Sequence, residues 1–248
     1  MALLAVVAIT GAYFYSKDDG SKDDEAKPKK KASASPSPSE EDDPTDNPRE
    51  GAEDQKAVVP GWQPVTNPKW YSVFDVPKTK DWEIAPSDTI VGFTDKKGKP
   101  FPGAGMSAPA YFKKGWCKDS QTRVTVGTKG AQGSRNTKEA AKIAAENFAI
   151  AGWDEEQKGK LGKTKVRAFK NTHGIKGHAA QVTLRDAPAK GKCGVPDAKV
   201  TTISWINSND DLAIWVFMAD DKVKKSDQVS DGDLKKMMAS LRSLPKED

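Results

Sequence analysis

Residues 199–206 (KVTTISWI), 207–210 (NSND) and 212–218 (LAIWVFM) read as two strands and the turn between them. The runs are rich in β-branched and aromatic side chains, which suit a pleated, half-buried surface. Asn and Asp cluster between them, as they do where a chain reverses. The second run is apolar at every position instead of alternating, which predicts a central strand covered on both faces. Upstream, 165–169 and 178–185 flank a turn at Gly174. In the later of these, Ala180, Val182 and Leu184 point one way and Gln181, Thr183 and Arg185 the other. Four consecutive strands joined by short turns predict an antiparallel sheet.

Working outward, 71–76 (YSVFDV) reads as a strand stopped by Pro77, 90–94 as a strand running into a turn at 95–99, and 122–126 (TRVTV) as a strand ending at Gly127. A helix follows. Asn136 and Glu139 form its capping box, and Gly152 is its expected stop. Its inward stripe is read as Ala140, Ile143, Ala144, Phe148 and Ala151, with Lys138, Glu139, Lys142 and Glu146 outward. A last helix is expected over 231–242, capped by Ser230, with Leu234, Met237, Met238 and Leu241 inward. The fold class is α+β: an antiparallel sheet of about five to seven strands with two main helices packed on it.

That body is read as residues 60–248, enough for a core of its own. Ahead of it lie two different stretches. Residues 1–15 (MALLAVVAITGAYFY) hold no charge and are expected to be an apolar anchor helix. At 1.5 Å per residue it reaches about 22 Å, short of a ~30 Å hydrocarbon core, so it reads as part of a longer anchor with its basic flank upstream. Residues 16–59 are Lys, Asp, Glu, Ser and Pro, a disordered linker by composition. They hold eight basic and thirteen acidic residues, a net −5; with the whole chain at +5, the remainder carries +10. A basic body on an acidic cord favours anionic partners. Lys27, Lys29, Lys30 and Lys31 near the apolar end argue for a cytoplasmic flank, while the Ser/Pro linker and the cysteines argue for an extracytoplasmic body.

The two cysteines, Cys117 and Cys193, both lie in the body. Beyond an export-like segment such a pair reads as one disulfide, with two unpaired thiols or a catalytic thiol as the alternatives. The apolar start, the Ser/Pro/acidic linker, the Trp62–Trp70–Trp82 opening, the run Lys114-Gly115-Trp116-Cys117 and the closing Ser240-Leu241-Arg242 together resemble a domain of unknown function in actinobacterial membrane-anchored envelope proteins. The element order is similar to PsbP-like α+β folds. The resemblance implies an envelope location and an α+β body, and it carries no assigned activity.

Recognisable catalytic chemistry is sparse. Residues 105–109 (GMSAP) miss the G-x-S-x-G elbow because Pro109 replaces its last glycine. Two histidines, His173 and His178, are too few for a zinc site at any familiar spacing, so no metal or other cofactor is expected. The glycine-rich run 127–135 (GTKGAQGSR) is not a P-loop, but it carries Lys129 and Arg135 into a helix N-terminus and is a candidate anion-binding loop. Lys163, Lys165 and Arg167 fall at period two on one strand face, a second candidate for anionic polymer or lipid; the bland alternative is a solvated face. Trp205 and Trp215 are expected in the core, whereas Trp62, Trp70, Trp82 and Trp116 sit near turns, where aromatics pack at a core edge or stack on a ligand. Nucleic acid is disfavoured, since no base-stacking motif accompanies the charge. The reading is a membrane-tethered, extracytoplasmic binding or assembly domain that docks an anionic envelope polymer or a protein partner. An extracytoplasmic hydrolase without a recognisable motif is the alternative.

Overall fold

A computed structural model describes residues 55–245 apart from 96, 118–120, 132, 135 and 190, together with 4–6. Leu4–Val6 is placed as a three-residue antiparallel strand beside Ile90–Thr94. The rest of the expected anchor helix 1–15, and the linker up to residue 54, lie outside the described residues.

Two expected strands pair as read. β10 (Ala198–Ile206) and β11 (Leu212–Asp220) run antiparallel through nine residue pairs, from Ala198 opposite Asp220 to Ile206 opposite Leu212. The reversal between them is built by Asn207, whose side-chain Oδ1 accepts from the amides of Asn209 and Asp211 at 2.9 and 3.0 Å. Outside β10 lies β9 (Lys176–Arg185). The outer edge of β9 is shared by β8 (Lys165–Lys170), on its first half, and the two-residue β7 (Lys160–Leu161), at its end. On the other side β11 pairs with β6 (Val124–Gly130), and β6 with the long β5 (Pro100–Phe112). The far edge of β5 is again shared, by β4 (Ile90–Thr94) and β3 (Trp82–Ile84).

The main sheet of residues 82–220 therefore has nine strands, all antiparallel, beyond the five to seven expected. The surplus comes from strands with weak signals. β5 contains Pro100, Pro102, Pro109, Gly103 and Gly105, residues that normally break a ladder. Pro109 falls at a bulge around Ala108, which sits at φ 48°, and Pro100, Pro102 and Gly103 fall where the pairing of β4 with β5 shifts register between Gly92 and Thr94.

One face of this sheet carries α1 (Thr137–Trp153). Asn136 caps it by accepting from the Glu139 amide at 3.0 Å, as the capping box predicts. Its buried stripe is Ala140, Ala141, Ala144, Ala145, Phe148, Ala149 and Ala151. Ile143, read as inward, is 41% exposed. The helix lies flat on the sheet with a wide alanine face, and the Thr202 hydroxyl bonds the Ala141 carbonyl at 2.7 Å; a bulky side chain would lift it away. Gly152 does not stop the helix. It continues to Trp153, and Gly152 is packed beneath Met218 and Phe93.

The opposite face carries a small sheet and α2 (Asp231–Ser240), capped by Ser230 as expected. The small sheet orders β12 (Arg242–Ser243), β2 (Ser72–Pro77) and β1 (Trp62–Asn67). β11 is thus covered on both sides: Ala213, Trp215, Phe217 and Ala219 face the small sheet and α2, while Ile214, Val216 and Met218 face α1. Trp205 and Trp215 are fully buried. Each removes some 150–250 Å² from water, a gross transfer gain of about 4–6 kcal/mol. Between the two sheets Asn67 Nδ2 donates to Ser107 Oγ and Thr128 Oγ1 at 2.9 and 2.7 Å, and Ser72 Oγ meets Thr128 Oγ1 at 2.9 Å. These buried polar groups set the registry of one layer on the other.

Candidate functional site

The residues read as anion-binding are dispersed by the fold. The run 127–135 is not one loop: its first four residues, Gly127 to Gly130, are the end of β6. The glycines serve packing. A Cβ on Gly127 would stand 2.9 Å from Met106 Sδ, and one on Gly130 would overlap the Trp70 ring. Lys129 points to the α1 face, and burial pushes its amine below the ordinary lysine value. Arg135 lies outside the described residues. Lys165 and Arg167 are exposed on β8, opposite Gln181 and Ala179, and therefore face the small-sheet side; exposed Lys163 lies just before the strand. Four strand steps separate β8 from β6, roughly 19 Å at the usual spacing. Lys129 therefore lies on the opposite face from Lys165 and Arg167 and cannot share a ligand with them. Among the described residues, none of Lys163, Lys165 and Arg167 pairs with a carboxylate.

Cys117 and Cys193 form a disulfide with Cα atoms 5.9 Å apart. It ties the loop from β5 to β6 to the loop from β9 to β10. Beneath these loops, between the end of α1 and the adjoining ends of β6 and β11, is a cavity of about 130 Å³. Arg123 is one of its lining residues, 8% exposed. Its Nη1 donates to Asp220 Oδ2 at 3.0 Å and its Nη2 to Asp227 Oδ2 at 3.3 Å. Its guanidinium carbon lies 3.3 Å from the centre of the Trp116 ring, a cation–π stack. The other Asp220 oxygen accepts from Trp153 Nε1 at 3.0 Å.

Burial pushes the Asp220 carboxyl above its ordinary range against the pull of Arg123 and Trp153. The opposite holds at Asp227, where the Lys113 ammonium, 2.8 Å away, holds the carboxyl below it. Three buried polar atoms of residues that line the cavity, themselves closed off from solvent, lack a partner among the described residues: Trp116 Nε1, Gln121 Oε1 and Arg123 Nε. Each is an unmet hydrogen bond, which natural interiors rarely tolerate without water or a ligand.

Elsewhere, Ser107 is committed to the buried network and His178 Nδ1 meets Thr137 Oγ1 at 2.7 Å. Among the described residues no three His, Cys, Asp or Glu side chains stand together as metal ligands.

A family model described as a domain of unknown function, DUF8017, matches residues 55–246. The chain belongs to this family. No curated protein matches it. In this DUF8017 domain the matched span opens at the first described residue of the body and covers both sheets, both helices and the disulfide. Sequence reading missed Arg123, Asp220 and Asp227 as a cluster, because nothing in their spacing links positions 97 and 104 residues apart. The one local signal was Trp116 beside Cys117, a large aromatic next to a crosslinked turn.

Proposed function

We propose that this DUF8017 domain is a non-catalytic binding domain, held outside the cytoplasm by an N-terminal membrane anchor, that docks an anionic envelope polymer. The observation that carries the reading is the row Lys163, Lys165 and Arg167: exposed and unpaired with carboxylates among the described residues, with Lys165 and Arg167 on the outer strand of a sheet edge and Lys163 just before it. Charges left without partners on a body of net +10 attract polyanions and release their counterions. The disulfide supports an oxidising location, since such bonds persist outside the cytosol. The uncharged residues 1–15 and the polar cord after them support a tether that lets the body reach away from a membrane.

The test is co-sedimentation of the full chain with purified cell-wall polymer at low and high salt, beside a variant carrying Lys163→Glu, Lys165→Glu and Arg167→Glu. Binding is expected at low salt, weaker at high salt, and at least tenfold weaker in the variant. Those side chains are exposed, so folding is expected to survive, which circular dichroism checks. No binding, or binding that ignores both salt and the three substitutions, defeats the reading; capture of a protein in place of polymer also defeats it.

A further inference from the structure

We propose that the groove beside Trp70 holds one acidic sugar residue, its ring against the indole and its carboxylate toward Lys69. The inference deepens the polymer reading by naming the unit recognised. It uses no residue of the β8 row, so either site can fail without the other.

The groove lies where two neighbouring strands part. The pairing of β5 with β6 ends at Ser107 opposite Thr128, and no register pair joins Gly105 to Gly130, two residues further along each strand. Both glycines line the groove, so a ligand in the fork meets backbone and no side chain there. Parting strand edges offer N–H and C=O groups, which suit hydroxyls that both donate and accept. Trp70 forms one wall. Its ring stands with its far edge, carbons Cζ2, Cη2 and Cζ3, on Gly130, where a Cβ would overlap it. An edge-on seat leaves the ring faces to other contacts. Trp70 Nε1 has no hydrogen-bond partner among the described residues and is not one of the buried unpaired atoms, so it is within reach of a ligand. Asn207 Nδ2 donates to the Trp70 carbonyl at 3.1 Å. That bond fixes the wall in advance and spares entropy on binding.

Size, surface and charge narrow the class. The groove measures about 260 Å³. That lies between the ~150 Å³ that takes benzene and the ~300 Å³ of the smallest drug-sized clefts, the scale of one substituted ring. Ile90, opposite Ser107 and 39% exposed, supplies a second apolar wall, so ring carbons and hydroxyls both find matching surface. The lining includes Lys69 and Lys129 and no Asp or Glu. Neither lysine pairs with a carboxylate among the described residues. Lys69 is exposed, and its Nζ stands 5.8 Å from the centre of the Trp70 ring. Lys129 points to the other face and adds positive potential without sharing the stack. A carboxylate on a ring stacked at Trp70 therefore lies beside an uncompensated ammonium.

The experiment is a titration of the ¹⁵N-labelled full chain with methyl glucuronide, beside methyl glucoside, acetate and trialanine. The Trp70 indole N–H and the Gly105 and Gly130 amides are read. Methyl glucuronide is expected to shift all three saturably. Methyl glucoside should bind roughly three- to tenfold more weakly, the weight of one charge-assisted contact. Acetate should shift none of them. Lys69→Gln, on the surface, is expected to erase the preference for the acid. Gly105→Val, at a position where a Cβ meets only ordinary contacts, should narrow the floor and weaken binding at least threefold. The variant with Lys163→Glu, Lys165→Glu and Arg167→Glu should respond as wild type does; a lost response there would assign the sugar acid to β8 and overturn this site. No shift with the glucuronide overturns the proposal. Equal shifts with acetate overturn the role of the ring, equal binding of the glucoside overturns the acidic class, and shifts with trialanine alone overturn the sugar. A glucuronide response that both Lys69→Gln and Gly105→Val leave unchanged overturns the placement.

Discussion

Lys129 shows how much one neighbourhood decides about a residue. Its ammonium is half-buried on β6, and among the described residues no carboxylate lies within ion-pair distance. Burial disfavours the charged form, so the folded state releases this proton at lower pH than the unfolded chain does. Between the lowered folded value and the ordinary 10.5, the unfolded chain holds more protons, and stability rises with pH. Lys129→Met is therefore expected to raise the urea midpoint at neutral pH. The gap between variant and wild type should narrow as pH climbs toward 10.5. A Met variant less stable than wild type at neutral pH would show that the ammonium has a stabilising role burial does not reveal. At the same scale, Trp116 and Arg123 are mutually dependent: the ring covers the guanidinium, and the guanidinium explains an aromatic on a turn.

Among the elements, β2 depends most on a single side chain. Asp75 in its middle is fully buried. It accepts from the amides of Val58 and Val59 at 2.7 and 2.9 Å and from Arg242 Nη1 at 3.0 Å, while its own amide donates to Ser240 Oγ at 2.8 Å. One carboxylate thus joins the start of the described body, the small sheet and the segment after α2. Asp75→Ala would strand the Arg242 charge and two amides, a loss expected at about 3–5 kcal/mol in denaturant unfolding. Asp75→Asn, which keeps the shape and one acceptor, should lose less. Equal losses for the two variants would mean that the negative charge, and not the hydrogen bonds, carries the effect. The strand itself was legible in 71–76. Its partners were not, since Arg242 lies 167 residues away.

For the whole molecule, the disulfide closes a loop across a separation of 76 residues while the sheet is complete without it. Loop closure of that length is worth about 4–5 kcal/mol in the chain-entropy account, and measured bridges often give less. Replacing Cys117 and Cys193 by Ser is expected to lower unfolding stability by about 2–4 kcal/mol. It should also speed amide hydrogen exchange in 113–117, 121–123 and 186–197, with β10 and β11 still protected. Loss of protection across the central strands would show that the bridge holds the core and not only the roof of the cavity. Both α-helices and the hairpin of β10 and β11 were readable, because their periodicity and caps are local. The count of strands was not, since β5 is full of Pro and Gly and its pairings with β4 and β6 each shift register.

The amino-acid sequence by itself determined the α+β class, the helix N-caps, the central hairpin and the segregation of charge between 16–59 and the remainder. These depend on side-chain period, turn chemistry and composition, which act over a few residues. Only the tertiary structure decided that Lys129 and the β8 row lie on opposite faces, that Ile143 stays outside, and that Arg123, Trp116, Asp220 and Asp227 meet beneath a disulfide. Such meetings follow from how distant strands and loops are brought together, and local spacing carries no record of residues about a hundred positions apart.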